Sequence, residues 1–218
     1  MFEVFIVTAE SNLSQKDFSS LLSLTSHERR NRINHYHFFK DAQNTLLGDI
    51  LVRAEICKRT GLSNRHLVFS TNEHGKPFLV NEPHLHFNIS HAGKFIAVAL
   101  DSEPVGIDVE LIKSIDLKIT ERFFATDENE YITSHTDETR IQTFFEIWTK
   151  KESYIKREGL GLARPLNSFS VLNANAEQTY FHCVFTDNDA TCHVCTSHRE
   201  PPRCKKVEIA EILKFAKK

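Results

Sequence analysis

The chain of 218 residues lacks the excess of one charge that marks a polyelectrolyte partner. Its 27 Lys+Arg stand against 29 Asp+Glu, a formal charge of −2. Proteins that coat nucleic acid or an anionic membrane need a large basic surplus, so neither partner is expected. A long apolar run is also missing. The longest in the middle of the chain, Phe95-Ile96-Ala97-Val98-Ala99-Leu100, is far short of the ~20 residues of a membrane span. The opening MFEVFIVTAE has no basic segment, carries Glu3, and is too short in apolar residues for a signal peptide, so a cytoplasmic location is expected. Cysteine is scarce: the 5 are an odd number, four of them between Cys183 and Cys204, which argues against a disulfide framework. No low-complexity linker divides the chain. What is there, 40% hydrophobic and 26% charged residues, is ordinary for a folded protein of one large or two small domains. The 12 His turn the net charge positive near pH 6.5.

The patterning predicts an α+β protein. Phe2 to Val7 reads as a strand. Ser26 is an N-cap for a helix over His27-Glu28-Arg29. A second helix runs from about Lys40 to Lys58, with Leu46, Leu47, Ile50, Leu51 and Ala54 on one face, and stops at Gly61. Leu67 to Ser70 is a short strand, and Asn72 to Pro77 a turn. Strands follow at Leu85–Ile89, Lys94–Leu100 and Val105–Glu110. Helical patterns span Thr120–Tyr131 and Thr139–Glu158. Strands return around Phe169–Val171, Tyr180–Phe185 and Thr191–Thr196. Helices and strands do not alternate as in a doubly wound sheet.

A weak internal duplication is visible. A helix ending at Gly61 precedes a strand at Val68-Phe69-Ser70, and a helix ending at Gly159 precedes Phe169-Ser170-Val171. This suggests two similar halves of about a hundred residues, divided as 1–103 and 104–218, with a ligand in the cleft between them.

Asp108 and Glu110 alternate with Val105, Ile107 and Val109, so they share one face of a strand about 7 Å apart. Two readings stand: the wet side of a half-buried strand, or a hard-cation site completed by another ligand. Glu152 falls four after Trp148 and three before Ile155, on the apolar stripe of its helix. A carboxylate there needs pairing or a metal. Lys156, one turn on, is an available ion-pair partner.

Lys76 stands in the stiff Gly75-Lys76-Pro77 turn, Arg29 and Arg32 lie one turn apart, and Ser90-His91 follows a strand. Each reads either as a phosphate contact or as a solvated surface group. No phosphate-loop, dinucleotide or nucleophile-elbow signature is present; Asn88 and Ala92 occupy the glycine positions around Ser90. Cys192-x-x-Cys195, with His198 and Cys204, has zinc-like spacing, but a strand would put Cys192 and Cys195 on opposite faces.

Together, Gly75-Lys76-Pro77, Phe87-Asn88-Ile89-Ser90-His91, Gly106-Ile107-Asp108-Val109-Glu110 and Trp148-Thr149-Lys150-Lys151-Glu152-Ser153-Tyr154-Ile155-Lys156 resemble the Sfp-type 4′-phosphopantetheinyl transferases. Thr45 to Arg53 and Arg122-Phe123-Phe124 are similar too, so the resemblance runs from about Ser26 to Val171. It implies two α+β halves forming an intramolecular pseudo-dimer, active as a monomer, with coenzyme A in the cleft. It implies transfer of 4′-phosphopantetheine from coenzyme A to a serine of an apo peptidyl, acyl or aryl carrier, releasing adenosine 3′,5′-bisphosphate. By resemblance Asp108, Glu110 and Glu152 hold Mg2+, or Mn2+ in its place. Arg29, Arg32, Thr45, Gly75, Lys76, Pro77, Ser90, His91, Asp108, Lys151 and Lys156 contact coenzyme A or its surroundings, and Glu152 and Lys156 are catalytic. Asn44 departs from the arginine of similar members, and Arg29 and Arg32 replace lysines.

On this reading Glu152 serves as base for the serine hydroxyl and Lys156 offsets charge on the leaving bisphosphate. The carrier docks after Glu110, over Ile112, Ile115, Leu117 and Phe124, steered by Lys113 and Lys118; the same apolar residues also read as core. Three other readings stand on the same residues: a magnesium-dependent phosphohydrolase acting without a carrier, a non-catalytic scaffold, and a zinc protein built on the Cys192 cluster.

Overall fold

The computed structural model describes residues 2–172 and 178–216. β1 (Glu3–Thr8) leads into α1 (Gln15–Leu22), α2 (His27–Asn34) and the 22-residue α3 (Phe39–Thr60). A two-stranded ribbon, β2 (Phe69–Thr71) and β3 (Pro77–Leu79), precedes β4 (His86–Ala92), β5 (Phe95–Asp101) and β6 (Gly106–Leu111). Then come α4 (Thr120–Phe123), α5 (Thr126–Ser134) and the 22-residue α6 (Asp137–Glu158). β7 (Tyr180–Thr186), β8 (Ala190–Thr196), β9 (Arg203–Lys206) and α7 (Ile209–Phe215) complete the described chain.

Two sheets stack between two long helices. The first has the order β4-β5-β1-β9 and the second β6-β8-β7. α3 covers the outer face of the first, where Phe5, Val7, Ile96, Val98 and Leu100 meet Leu46, Leu47, Ile50 and Leu51. The inner faces meet each other through Val4, Ala97, Ala99, Ile107, Val109, Cys192 and Val194. α6 covers the outer face of the second sheet. β5 and β8 are therefore covered on both sides, and all seven residues of each are buried. This is why Phe95 to Leu100 reads as a continuous apolar run rather than an alternating one. Each such side chain removed from water stabilises the fold by about 1.5–3 kcal/mol.

The sheets are joined at their edges by side chains in place of a backbone ladder. β6 pairs with β8 on one edge. On its free edge the Ile107 N–H donates to Asn88 Oδ1 at 2.8 Å, and the Val109 N–H to Ser90 Oγ at 3.3 Å. Both acceptors come from β4. A buried N–H without a partner costs about 1–3 kcal/mol, so Asn88 and Ser90 hold the two sheets in register.

The elements differ from expectation in four places. Phe169–Val171 is not a strand; the Val171 N–H is taken by the Glu128 carboxylate at 2.8 Å instead of a ladder. The helical pattern over Thr120–Tyr131 breaks at Phe124-Ala125 into α4 and α5. The short α1, β3, β9 and α7 are missing from the sequence reading, although α1 carries a Ser14 cap and buries Phe18 and Leu21 on one face. Lastly, the C-terminal segment does not stay with the second half: β9 pairs parallel with β1, and α7 packs on α3. Both α3 and α6 end, as the repeat suggests, at a left-handed glycine, Gly61 and Gly159.

Candidate active site

β6 and α6 meet where Gly106 lies. A Cβ there would sit 2.0 Å from the Ser153 carbonyl oxygen and 2.3 Å from the Arg157 nitrogen. Only glycine lets the helix backbone rest directly on the strand. That contact brings Glu152 and Lys156 over the strand residues Asp108 and Glu110.

Asp108 is buried. Its Oδ1 accepts from Ser90 Oγ at 3.0 Å and from Lys156 Nζ at 2.5 Å, and Lys156 Nζ also donates to Ser90 Oγ at 3.0 Å. Burial alone would lower the Lys156 pKa; Asp108, Glu152 and Glu110 together outweigh it and raise the value, so the ammonium stays charged. Glu110 is pushed up to about 7, first by burial, then by the Asp108 and Glu152 charges, against Lys156 and Lys113. Glu152 is raised by burial and by Asp108. Three carboxylates thus surround the Lys156 ammonium, with Lys113 acting on Glu110 as well. The excess negative charge is compounded by Asp108 Oδ2, which is buried with no hydrogen-bond partner. That chemistry suits a hard cation. Among the described residues no three His, Cys, Asp or Glu already converge as a coordination shell; Lys156 holds Asp108 Oδ1 instead.

A cavity of about 230 Å3 opens between α2, α3 and the β2–β3 turn, lined by Arg29, Arg32, Asp49, Arg53, Phe69, Gly75 and Pro77 among others. Arg53 Nε binds Asp49 Oδ2 at 2.7 Å, its guanidinium lies 4.5 Å from the Phe69 ring centre, and Arg29 Nε reaches Asp49 Oδ1 at 3.4 Å. Asp49, Arg53 and Phe69 were not singled out from the sequence; the i,i+4 spacing of Asp49 and Arg53 was the available signal. His91 stands between cavity and carboxylates. Its Nε2 meets Thr45 Oγ1 at 3.1 Å. Burial, joined by Lys156 and Arg29 and opposed by Asp41, lowers its pKa and keeps the imidazole neutral near pH 7. Asn44 points away from this cavity: it is buried and donates to the Gly93 carbonyl at 2.8 Å.

Four of the predicted residues are placed as follows. Lys151 contacts no cleft: it is fully buried, 2.6 Å from Glu128 Oε2 and 2.6 Å from the Phe169 carbonyl. It is Lys151, not Glu152, that lies on the core stripe of α6; Glu152 is one position round, half-buried at the edge. The Lys76 ammonium is not in the lining of this cavity and donates to the Arg157 and Val105 carbonyls at 2.8 and 3.3 Å. Phe124 is core, stacked on Phe144 with ring centres 5.1 Å apart, while Ile112, Ile115 and Leu117 pack at the margin of that cluster. The cysteine geometry stands: Cys192 faces the inter-sheet core and Cys195 the α6 side, on opposite faces of β8.

Residues 11–103 match the family model described as 4′-phosphopantetheinyl transferase, N-terminal, and residues 104–210 that of the 4′-phosphopantetheinyl transferase superfamily. The chain belongs to the 4′-phosphopantetheinyl transferase family. It is 36% identical over 199 residues to the 4′-phosphopantetheinyl transferase Sfp of Bacillus subtilis (strain 168), covering 91% of this chain and 88% of that one. It is 41% identical over 170 residues to the transferase ffp of Bacillus subtilis, covering 78% and 75%. The transferase gsp of Aneurinibacillus migulanus is 37% identical over 182 residues, covering 84% and 76%. A phosphopantetheinyl transferase moves the phosphopantetheine arm onto a carrier protein, and that is this enzyme's activity. No described helix is long and apolar enough to cross a membrane.

Proposed function

We propose that coenzyme A is the donor, bound with its nucleotide in the 230 Å3 cavity and its pyrophosphate over Asp108, Glu110 and Glu152. The observation that carries this is the carboxylate cluster around the Lys156 ammonium, with its partnerless Asp108 Oδ2, next to a cavity edged by Arg29 and Arg32. Arg29 and Arg32 bind nucleotide phosphate, and neutral His91, fixed by Thr45, donates a hydrogen bond between the two regions. Mg2+ or Mn2+ held by Asp108, Glu110 and Glu152 supplies charge neutralisation on the pyrophosphate.

The carrier serine oxygen attacks the phosphorus on the pantetheine side. The bond from that phosphorus to the bridging oxygen breaks, and adenosine 3′,5′-bisphosphate leaves. Glu152, with its raised affinity for a proton, accepts the serine proton. Lys156, held protonated, balances the charge growing on the leaving oxygen. Ser90 keeps Asp108 and Lys156 in place. Ile112, Ile115 and Leu117 present half-buried apolar surface beside Lys113 and Lys118, a surface suited to an acidic carrier. The halves 1–103 and 104–218 are two copies of one α+β plan within a monomer, with β9 and α7 returned to the first.

The test is intact mass spectrometry of apo peptidyl, acyl and aryl carriers incubated with the enzyme, coenzyme A and Mg2+, with a chelator control. A metal-dependent gain of ~340 Da is expected from one transferred phosphopantetheine. Hydrolysed coenzyme A with unmodified carriers would overturn the reading.

A further inference from the structure

The turn between β2 and β3 caps the C-terminal end of α6 from across the molecule. A helix leaves its last four carbonyls without intrahelical donors. In α6 the Arg157 carbonyl accepts from Lys76 Nζ at 2.8 Å, and the Gly159 carbonyl just beyond accepts from Asn72 Nδ2 at 2.8 Å. A further Lys76 bond, 3.3 Å, reaches the Val105 carbonyl ahead of β6. The ammonium also lies at the negative end of the helix dipole. Gly159 makes the approach feasible: a Cβ there would lie 2.9 Å from Lys76 Cδ and 3.1 Å from Asn72 Nδ2, and its φ is +71°.

The same turn is stiff. Asn72 Oδ1 accepts from the His74 and Lys76 N–H groups at 3.0 and 2.8 Å. On its other side it gives Gly75 and Pro77 to the wall of the nucleotide-sized cavity. One rigid loop therefore touches that cavity with one face. With the other it touches the end of the helix that carries Glu152 and Lys156.

We propose that Asn72 and Lys76 form a strap that couples nucleotide binding to the placement of α6. Nucleotide packed against Gly75 and Pro77 fixes the stiff turn in place, and the turn in that position steadies the last turn of α6. Lys76 is then a positioning residue and not a phosphate ligand. The inference rests on the cavity being the nucleotide subsite.

The test is hydrogen exchange of the full chain with and without adenosine 3′,5′-bisphosphate, on the native protein and on Lys76→Met and Asn72→Ala, alongside steady-state kinetics. In the native protein the nucleotide should slow exchange in α2, in the turn and at the end of α6. In Lys76→Met the protection of α2 should remain while that at the end of α6 is lost. There kcat should fall about tenfold with the KM for coenzyme A within about threefold. Asn72→Ala should act in the same direction and more weakly. Protection at the end of α6 that survives in both variants overturns the strap. So does a raised KM with unchanged kcat in Lys76→Met, which would make Lys76 a ligand. Native protection of α2 without α6 overturns the strap alone; no native protection of α2 overturns the nucleotide subsite and the strap with it.

Discussion

Lys151 Nζ lies 2.6 Å from Glu128 Oε2, and both side chains are fully buried. Glu128 also accepts from the Ala125 and Val171 N–H groups, at 2.9 and 2.8 Å. Lys151 donates to the Phe169 carbonyl and lies 4.2 Å from the Phe169 ring centre. This one pair ties α5, α6 and the segment around Phe169–Val171 together. Removing one partner of a buried pair strands a charge. Lys151→Met should therefore cost about 3–5 kcal/mol in denaturant unfolding, and adding Glu128→Leu should recover only part of it, because the Ala125 and Val171 N–H groups then lose their acceptor. A single variant within 1 kcal/mol of the parent would refute this role, where "1" is about the value of an exposed pair.

Gly106→Ala should damage chemistry and stability together. The added Cβ would meet backbone of α6 at 2.0 Å, and backbone cannot rotate aside. The helix must move off β6, taking Glu152 and Lys156 from Asp108. We expect kcat to fall at least tenfold, about 1.4 kcal/mol of lost transition-state stabilisation, with a lowered melting temperature. Unchanged kcat would mean that the helix has slack there.

Cation binding should release a proton near neutral pH. Glu110, pushed up to about 7, holds its proton below that value and must lose it to act as a ligand. Mg2+ affinity should therefore rise as pH rises through about 7. Calorimetry in two buffers of different ionisation enthalpy measures the proton count. A count of zero at pH 6.5, about half a unit below that value, would remove Glu110 from the ligand set.

Glu152→Gln should abolish transfer while leaving the protein folded, as read by circular dichroism. The amide keeps the shape but cannot take the serine proton. Substantial turnover in this variant would assign the base elsewhere.

Acid should destabilise the fold through His193. Its Nδ1 meets Thr149 Oγ1 at 2.8 Å, and burial, helped by Lys150, drops its value to about 3. The unfolded chain takes up this proton near pH 6.5 and the folded one does not. The contribution is whole above pH ~6.5 and is lost at about 1.4 kcal/mol per pH unit as pH falls toward ~3. Urea unfolding at pH 7.5 and pH 5.0 should show the native protein losing about 2 kcal/mol more than His193→Gln. Equal losses would show that His193 is protonated in the fold.

Local signals in this chain were reliable where a residue's role depends on near neighbours. Ser26 caps α2, accepting from the Arg29 N–H at 3.2 Å. Gly61 and Gly159 end the two long helices in the left-handed conformation. The alternation that separates Asp108 and Glu110 from Ile107 and Val109 places the carboxylates on the α6 side and the valine and isoleucine in the inter-sheet core. The opposition of Cys192 and Cys195 follows from the same period of two.

The choice among adjacent lysines and glutamates on α6 was less legible. Phe144, Trp148, Lys151 and Ile155 fall four, three and four apart, so Lys151 is on the apolar stripe by the same count that admits Glu152. A helix turns about 100° per residue, and a stripe one residue wide cannot settle which of two neighbours it contains. The buried partner Glu128 settles it, and nothing local in the sequence marks that partner.

By itself, then, the sequence determined the α+β class, the two long helices with their ends, and the strand face that carries Asp108 and Glu110. These follow from caps and periodicities spanning a few residues. The tertiary structure alone decided that Lys76 binds helix carbonyls, that Lys151 is core, that Ser90 and Asn88 join two sheets, and that β9 returns to β1. Each of these depends on which distant segment supplies the neighbour. Hydrogen bonds and buried charges take their partners from space, and spatial neighbours exist only once the sheets have packed.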